Sequence, residues 1–291
     1  MAQYARPPDT RLPVESMSLL RHLPSPRGAD LFCPDGPGGE KGHRHTPYAG
    51  LQSHDSFSWR LGPLQIGLDE CIEIVHYLRG AFPEITRLTC YARASTLWKA
   101  KEAGIRRLAE AGLNRVHIGL ESGDSSILKF HRKAQTPEIV AATGQWLREA
   151  GIEVSFYVLL GMGGRDRWKP HIDNTARVIE NVNPEFVRIR RIWLFGGEGS
   201  ECSPECPLWE DIRSGTFIPQ TAEGTVLELR QLLKKLKDVD TFLTCDHANN
   251  YVCVQGRMPH DRLAMLDVID RFLSLPEADR QAHYEAVGSR I

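Results

Sequence analysis

Apolar positions first become periodic near residue 69. Cys71, Ile72, Ile74, Val75, Leu78 and Phe82 recur at the spacing of one helix face, and Pro83 stops them, so a helix is predicted over 69–81. The run ITRLTCY (85–91) reads as a strand, followed by a helix over 95–111 with Gly112 as its stop. Next come a strand at 115–122 and a helix that starts at Thr136-Pro137, runs to Glu149 and ends before Gly151. The same alternation predicts strands at 153–161, 186–195 and 241–246, and helices near 170–182, 223–237 and 261–274. Repeated strand–helix pairs imply parallel βαβ units with right-handed crossovers. The run VSFYVLL (154–160) reads as apolar on both faces, the pattern of a sheet covered on both sides. Two α/β architectures fit, a doubly wound sheet and a (β/α) barrel, and both bind ligands at the C-terminal ends of their strands.

Four strand ends carry chemistry. They are Cys90-Tyr91-Ala92-Arg93, Gly119-Leu120-Glu121-Ser122-Gly123, Gly161-Met162-Gly163-Gly164-Arg165, and the arginines Arg188, Arg190 and Arg191. Glu121 stands just past a buried strand between two glycines. It can accept hydrogen bonds from ligand hydroxyl or ammonium groups, or it can cap the next helix or pair with an arginine. GMGG (161–164) is either a backbone surface for a flat ring or a tight loop. It is not a phosphate fingerprint, because neither GxGxxG nor GxxxxGK[ST] is present. Arg188 and Arg190 share one strand face, where they hold a ligand carboxylate or pair with helix carboxylates.

The first 63 residues have another texture, with 9 of the 18 prolines and 7 of the 25 glycines. They are expected to be loop or disordered, with a core over 64–275 and a tail over 276–291. The chain of 291 residues has 36 Lys plus Arg against 37 Asp plus Glu, so charge gives no argument for nucleic acid or an anionic membrane as partner. The longest uncharged apolar stretch, Val154–Gly164, is about half of the roughly 20 residues that a membrane helix needs. No apolar leader follows Met1, and the seven cysteines are scattered and odd in number, which together predict a cytoplasmic protein. Cys33 with His43 and His45, and Cys202 with Cys206, are weak candidates for metal ligation. His247, with Asp246 and Asn249, is expected to bond within its own loop.

In order and spacing, TCYARASTL (89–97), AGLNRVHIGLESGDSSIL (111–128), FYVLLGMGG (156–164), NPEFVRIRRI (183–192), PLWEDIRSGTF (207–217) and DHANNYVCVQGRMPHD (246–261) resemble radical S-adenosylmethionine (SAM) proteins. The nearest group is that of coproporphyrinogen dehydrogenase and Elongator-type enzymes. The resemblance implies a partial (β/α)6 TIM-like barrel. It also implies SAM and a [4Fe-4S] cluster as cofactors, with reductive SAM cleavage to a 5′-deoxyadenosyl radical for modification of an unknown substrate. The implied partner is a small-molecule cofactor. In such barrels the fourth strand's end holds ribose or methionine, which maps to Glu121 with Gly119 and Ser122. The fifth lies against adenine, mapping to Val158–Gly163 with Gly161 and Gly163. Arg188 or Arg190 on the sixth would face the substrate or the methionine carboxylate, and Tyr91 and Arg93 complete the implied cofactor site.

The family's cluster needs C-x3-C-x2-C after the first strand, and this chain has no such loop. Cys202-Ser-Pro-Glu-Cys206 has the first spacing, but position 209 is Trp. Only Leu61-Gly62-Pro63 stands where a glycine-glycine-acid motif is expected after the second strand. The sequence therefore predicts a barrel incomplete at its N-terminal end and lacking its first βα unit and second strand, as in a truncated or mis-started product. Impaired SAM cleavage is expected to follow. The rival readings are a non-catalytic SAM- or adenosine-binding module, and a metal-independent barrel enzyme acting on a small carboxylate.

Overall fold

The computed structural model describes residues 56–59, 67–194 and 207–288. Its strands are β1 (Ser56–Trp59), β2 (Arg87–Ala92), β3 (Arg115–Glu121), β4 (Glu153–Leu160), β5 (Phe186–Arg191), β6 (Phe242–Cys245) and β7 (Val254–Arg257). The helices are α1 (Leu68–Ala81), α2 (Ala94–Ala111), α3 (Ser125–Phe130), α4 (Pro137–Glu149), α5 (Gly164–Val182), α6 (Leu208–Arg213), α7 (Ala222–Lys235), α8 (Arg262–Leu273) and α9 (Glu277–Gly288). Among the described residues no helix is long and apolar enough to cross a membrane.

The seven strands lie in chain order, β1 to β6 parallel and β7 antiparallel at the edge. That order settles the architecture. A doubly wound sheet reverses direction at a switch point, whereas right-handed crossovers between successive neighbours put every helix on one face. The result is a partial (β/α) barrel, open among the described residues.

Side-chain alternation then divides the sheet. Val116, Ile118 and Leu120 of β3 and Val154, Phe156, Val158 and Leu160 of β4 are buried on the helix side. Their alternates, Arg115, His117, Gly119 and Glu121, and Glu153, Ser155, Tyr157 and Leu159, line the other face, where the register sets His117 beside Ser155 and Gly119 beside Tyr157. The expectation that 154–160 is apolar on both faces is therefore corrected. Among the described residues helices cover one side, and the other carries polar and aromatic groups beside Leu159.

Local chemistry explains most boundaries. Thr136 caps α4 by accepting from the Ile139 N–H, with Pro137 in the first turn. Gly112 closes α2 at φ 106. The helix expected from Pro170 begins at Gly164, six residues earlier, because the Gly163-Gly164 turn leads straight into it and Pro170 is accommodated inside.

Three expectations are corrected at the ends. Ser56–Trp59, assigned to loop, is a strand paired in parallel with Arg87–Cys90. It stands next to β2 at the edge of the sheet, and the compact unit begins at Ser56 rather than 64. The expected tail instead forms α9, whose Tyr284 is buried against the rings of Tyr251 and Phe272 at 5.2 and 5.6 Å. Cys33, His43, His45, Cys202 and Cys206 lie outside the described residues.

Gly123 follows β3 where the chain presses on α5. A Cβ there would stand 2.3 Å from the Asn174 carbonyl oxygen, and the Gly123 N–H donates to Thr175 Oγ1 at 2.8 Å. Gly123→Ala is expected to lower stability by roughly 1–3 kcal/mol, the cost of overpacking a fixed contact. Urea denaturation checks this; an unchanged midpoint would contradict the close approach.

Candidate ligand site at the strand ends

The C-terminal ends of β2 to β5 bring most of the candidate residues to the open face. β3 is irregular there: its register slips between Gly119 and Glu121, and Glu121 has φ 61, a left-handed conformation that costs a non-glycine residue about 1–2 kcal/mol. Gly119 leaves room for the Glu121 carboxylate, since a Cβ at 119 would stand 3.2 Å from Oε1. The two glycines flanking Glu121 thus do different work, one facing the carboxylate and the other packing on α5.

Glu121 does not cap the next helix. That role belongs to Asp124, which accepts from the Ser126 and Ile127 N–H groups. Its carboxyl is held below the usual range by Ser126, Ile127, Arg167 and Asn174, which outweigh its burial. Nor does Glu121 pair with an arginine; its partner is Lys133, at 2.7 Å. In the same loop Gln135 Nε2 donates to the Gly119 carbonyl at 2.6 Å.

Tyr91 of β2 and Tyr157 of β4 approach hydroxyl to hydroxyl at 3.1 Å, and His117 of β3 packs between them with ring centroids at 4.6 and 5.7 Å. Arg190 lies 5.9 Å from the Tyr157 ring. Arg188 and Arg190 alternate onto this face, and Arg188 Nε and Arg190 Nη1 are buried without a hydrogen bond among the described residues. Buried guanidinium nitrogens of this kind are costly unless a ligand meets them. Arg93 is exposed at the end of β2. Arg191 is not on this face: it donates to the Asn249 carbonyl and stacks on Tyr251 at 4.5 Å. His247 bonds Asn249 Oδ1 at 2.6 Å, within its own loop.

Two candidates are occupied by the fold itself. Ser122 is fully buried and bonded to His171 Nδ1 at 2.8 Å. The Gly161 N–H donates to Glu228 Oε2 at 2.7 Å, and Gly164, at φ 56, packs under the Ile218 carbonyl. The GMGG stretch is therefore a tight turn into α5, and Gly163 serves as that helix's cap.

Sequence reading missed His171 and Glu228, although each carried a signal, a titratable residue on the apolar stripe of its helix. His171 Nε2 faces the Leu159 carbonyl at 3.0 Å, which can only accept. Nε2 therefore carries the proton, and neutral Nδ1 accepts from Ser122. Burial pulls the imidazole down to about 4. Burial also pushes the Glu228 carboxyl up to about 7, against hydrogen bonds from Gln220 and Gly161. Lys133, His117 and Tyr157 were missed because only strand register brings them together.

These two buried groups predict opposite pH trends. His171 has its folded value below the ordinary 6.5, so its stability is complete above that pH and is lost as pH falls toward about 4. Glu228 has its folded value above the ordinary 4.5, so stability is highest below that pH and declines as pH rises toward about 7. Each effect is worth roughly 3 kcal/mol, and the two oppose one another. Melting temperatures over this interval are expected to rise with pH in Glu228→Gln and to fall with pH in His171→Gln. Parallel curves would contradict the assignment.

Residues 63–173 match the family model of the Radical SAM superfamily. A tRNA uridine(34) acetyltransferase of Methanocaldococcus jannaschii is 26% identical over 129 residues, 43% of this chain and 22% of that protein. The solved structure of Methanocaldococcus infernus Elp3 with an N-terminal deletion (1–46) superposes with a TM-score of 0.51 at 16% identity, over 75% of this chain and 55% of that one. Coproporphyrinogen III oxidase (HemN) of Escherichia coli gives 0.48 at 12% identity, over 62% and 40%. The chain thus spans about a fifth of the curated relative and about half of Elp3, and the likeness to Elp3 is one of fold. With a matching family model over residues 63–173 and a parallel sheet in chain order, this part of the chain is similar to the radical SAM superfamily.

Proposed function

We propose that the open face at the ends of β2 to β5 binds S-adenosylmethionine. The observation that carries this reading is the presence of opposite charges on β3 and β5, the two strands that flank β4. Among the described residues Arg188 and Arg190 present buried guanidinium nitrogens without a hydrogen bond, and Glu121 presents a carboxylate whose ion-pair partner is Lys133. A ligand bearing both a carboxylate and cationic or hydroxyl groups satisfies both. In this reading the arginines take the methionine carboxylate and Glu121 accepts from the ribose hydroxyls or the ammonium group. Tyr91 and Arg93 border the ligand at β2, and the Val158–Gly163 backbone lies toward adenine.

In the superfamily a [4Fe-4S] cluster supplies the electron for SAM cleavage. The described cysteines do not fit one. Cys71, Cys90 and Cys245 are buried on the helix side, and Cys253 is exposed. Burial pushes Cys71 up to about 12 and raises Cys90 and Cys245 as well, opposing the thiolate that iron requires. No cluster of three or more metal-binding side chains occurs among the described residues. We therefore read the chain as a SAM-binding core in which reductive cleavage is impaired.

Calorimetric titration with SAM tests this. Glu121→Gln and Arg190→Gln are each expected to weaken SAM binding at least roughly tenfold, about 1.4 kcal/mol, with Arg190→Gln melting no lower than the parent. Unchanged affinity in both variants would overturn the reading. Binding of a small dicarboxylate with no measurable SAM binding would favour a small-carboxylate site instead.

A further inference from the structure

A second cleft opens beside the end of β3, outside the face described above. It is a groove open to solvent, of about 660 Å3, and its lining includes Ser125, Lys129, Arg132, Lys133 and Gln135. Three of these side chains are cationic and none of the lining residues is acidic. Lys133 is turned inward to Glu121, while Lys129 and Arg132 form no ion pair among the described residues.

Arg132 stands where a glycine is expected. The end of α3 is closed by two backbone bonds, Lys133 N–H to Leu128 O at 2.9 Å and Arg132 N–H to Lys129 O at 3.0 Å. This arrangement puts the intervening residue in the left-handed region, a position that glycine fills without strain. Arg132 holds it at φ 54. The position therefore carries a charged fork at a conformational cost, beside an open groove and a second cation, Lys129, that forms no ion pair among the described residues.

We propose that this cleft is a phosphate-binding subsite, formed by Lys129 and Arg132 with Lys133 at its inner rim, and that it takes the phosphate ester of a substrate. Phosphate oxygens match the guanidinium fork in paired hydrogen bonds and an ammonium as a point charge. Because Lys133 joins the cleft to Glu121, a phosphate held there lies beside the open face. The phosphate belongs either to a small phosphomonoester or to one nucleotide of a polynucleotide. The proposal is tested without SAM, so its failure is separate from failure of the SAM reading.

The full chain is titrated at low salt with inorganic phosphate, adenosine 5′-monophosphate and a ten-nucleotide single-stranded RNA, as parent, Lys129→Gln and Arg132→Gly. Binding of at least one probe is expected, weakened roughly tenfold in each variant. Arg132→Gly is expected to melt at a higher temperature than the parent, because glycine adopts the same backbone without strain. A purely structural arginine would not lose phosphate affinity while stability rose. Tighter binding of the monophosphate assigns the site to a small ester, and tighter binding of the RNA assigns it to a polynucleotide. No binding by any probe, or binding unaffected by both substitutions, would overturn the proposal.

Discussion

The fold rests on the one-sided burial of its parallel sheet. Val116, Ile118 and Leu120, with Val154, Phe156, Val158 and Leu160, must face the helices. A slip of one residue would exchange those apolar rows for Arg115, His117, Tyr157 and Glu121, so the register is held firmly. That constraint gives the molecule its ligand face. Whatever alternates with the core rows is gathered on the uncovered side, and in β2 to β5 those residues include tyrosine, histidine, glutamate and arginine. Among the described residues no helix lies over them, and at the strand ends carbonyl and carboxylate geometry can be shaped by loops.

The strand ends are themselves held by buried polar groups. At the exit of β4, two neighbouring backbone groups are fixed from different helices. His171 on α5 binds the Leu159 carbonyl, and Glu228 on α7 binds the Gly161 N–H. His171 also reaches across to Ser122 after β3, whose hydroxyl accepts from the Asp124 N–H at 3.1 Å. One continuous chain of hydrogen bonds therefore ties the β3 and β4 exits together. Both groups lie on apolar stripes, and the cost of burying them is offset by the positional definition they give to the site.

The sequence disclosed those parts of the fold that local chemistry decides. Helix α4 was legible because Thr136, Pro137 and Gly151 punctuate it, and β3 and β4 were legible from their apolar runs. Strand β1 was obscured by the proline- and glycine-rich texture around it, since four residues establish a strand only through a partner 31 positions away, Ser56 with Arg87. The start of α5 was misplaced because Pro170 imitates a first-turn proline. At the site, Glu121 and the two arginines stood out from charge at strand ends. Lys133 did not, because its pairing with Glu121 follows from the fold of the 131–136 loop. Ser122 and Gly161 read as ligand contacts, yet the Ser122 hydroxyl and the Gly161 N–H are already bonded to His171 and Glu228.

The central claim is that ligand chemistry belongs to the polar face at the ends of β2 to β5. Amide hydrogen exchange of the full chain, with and without saturating SAM, tests it most directly. The account predicts slowed exchange confined to the strand ends near Tyr91–Arg93, Gly119–Ser122 and Val158–Gly163. Protection centred instead on the outer surface around Trp98 and Trp146, whose stacked rings lie 5.1 Å apart on α2 and α4, would contradict it, as would no protection at all.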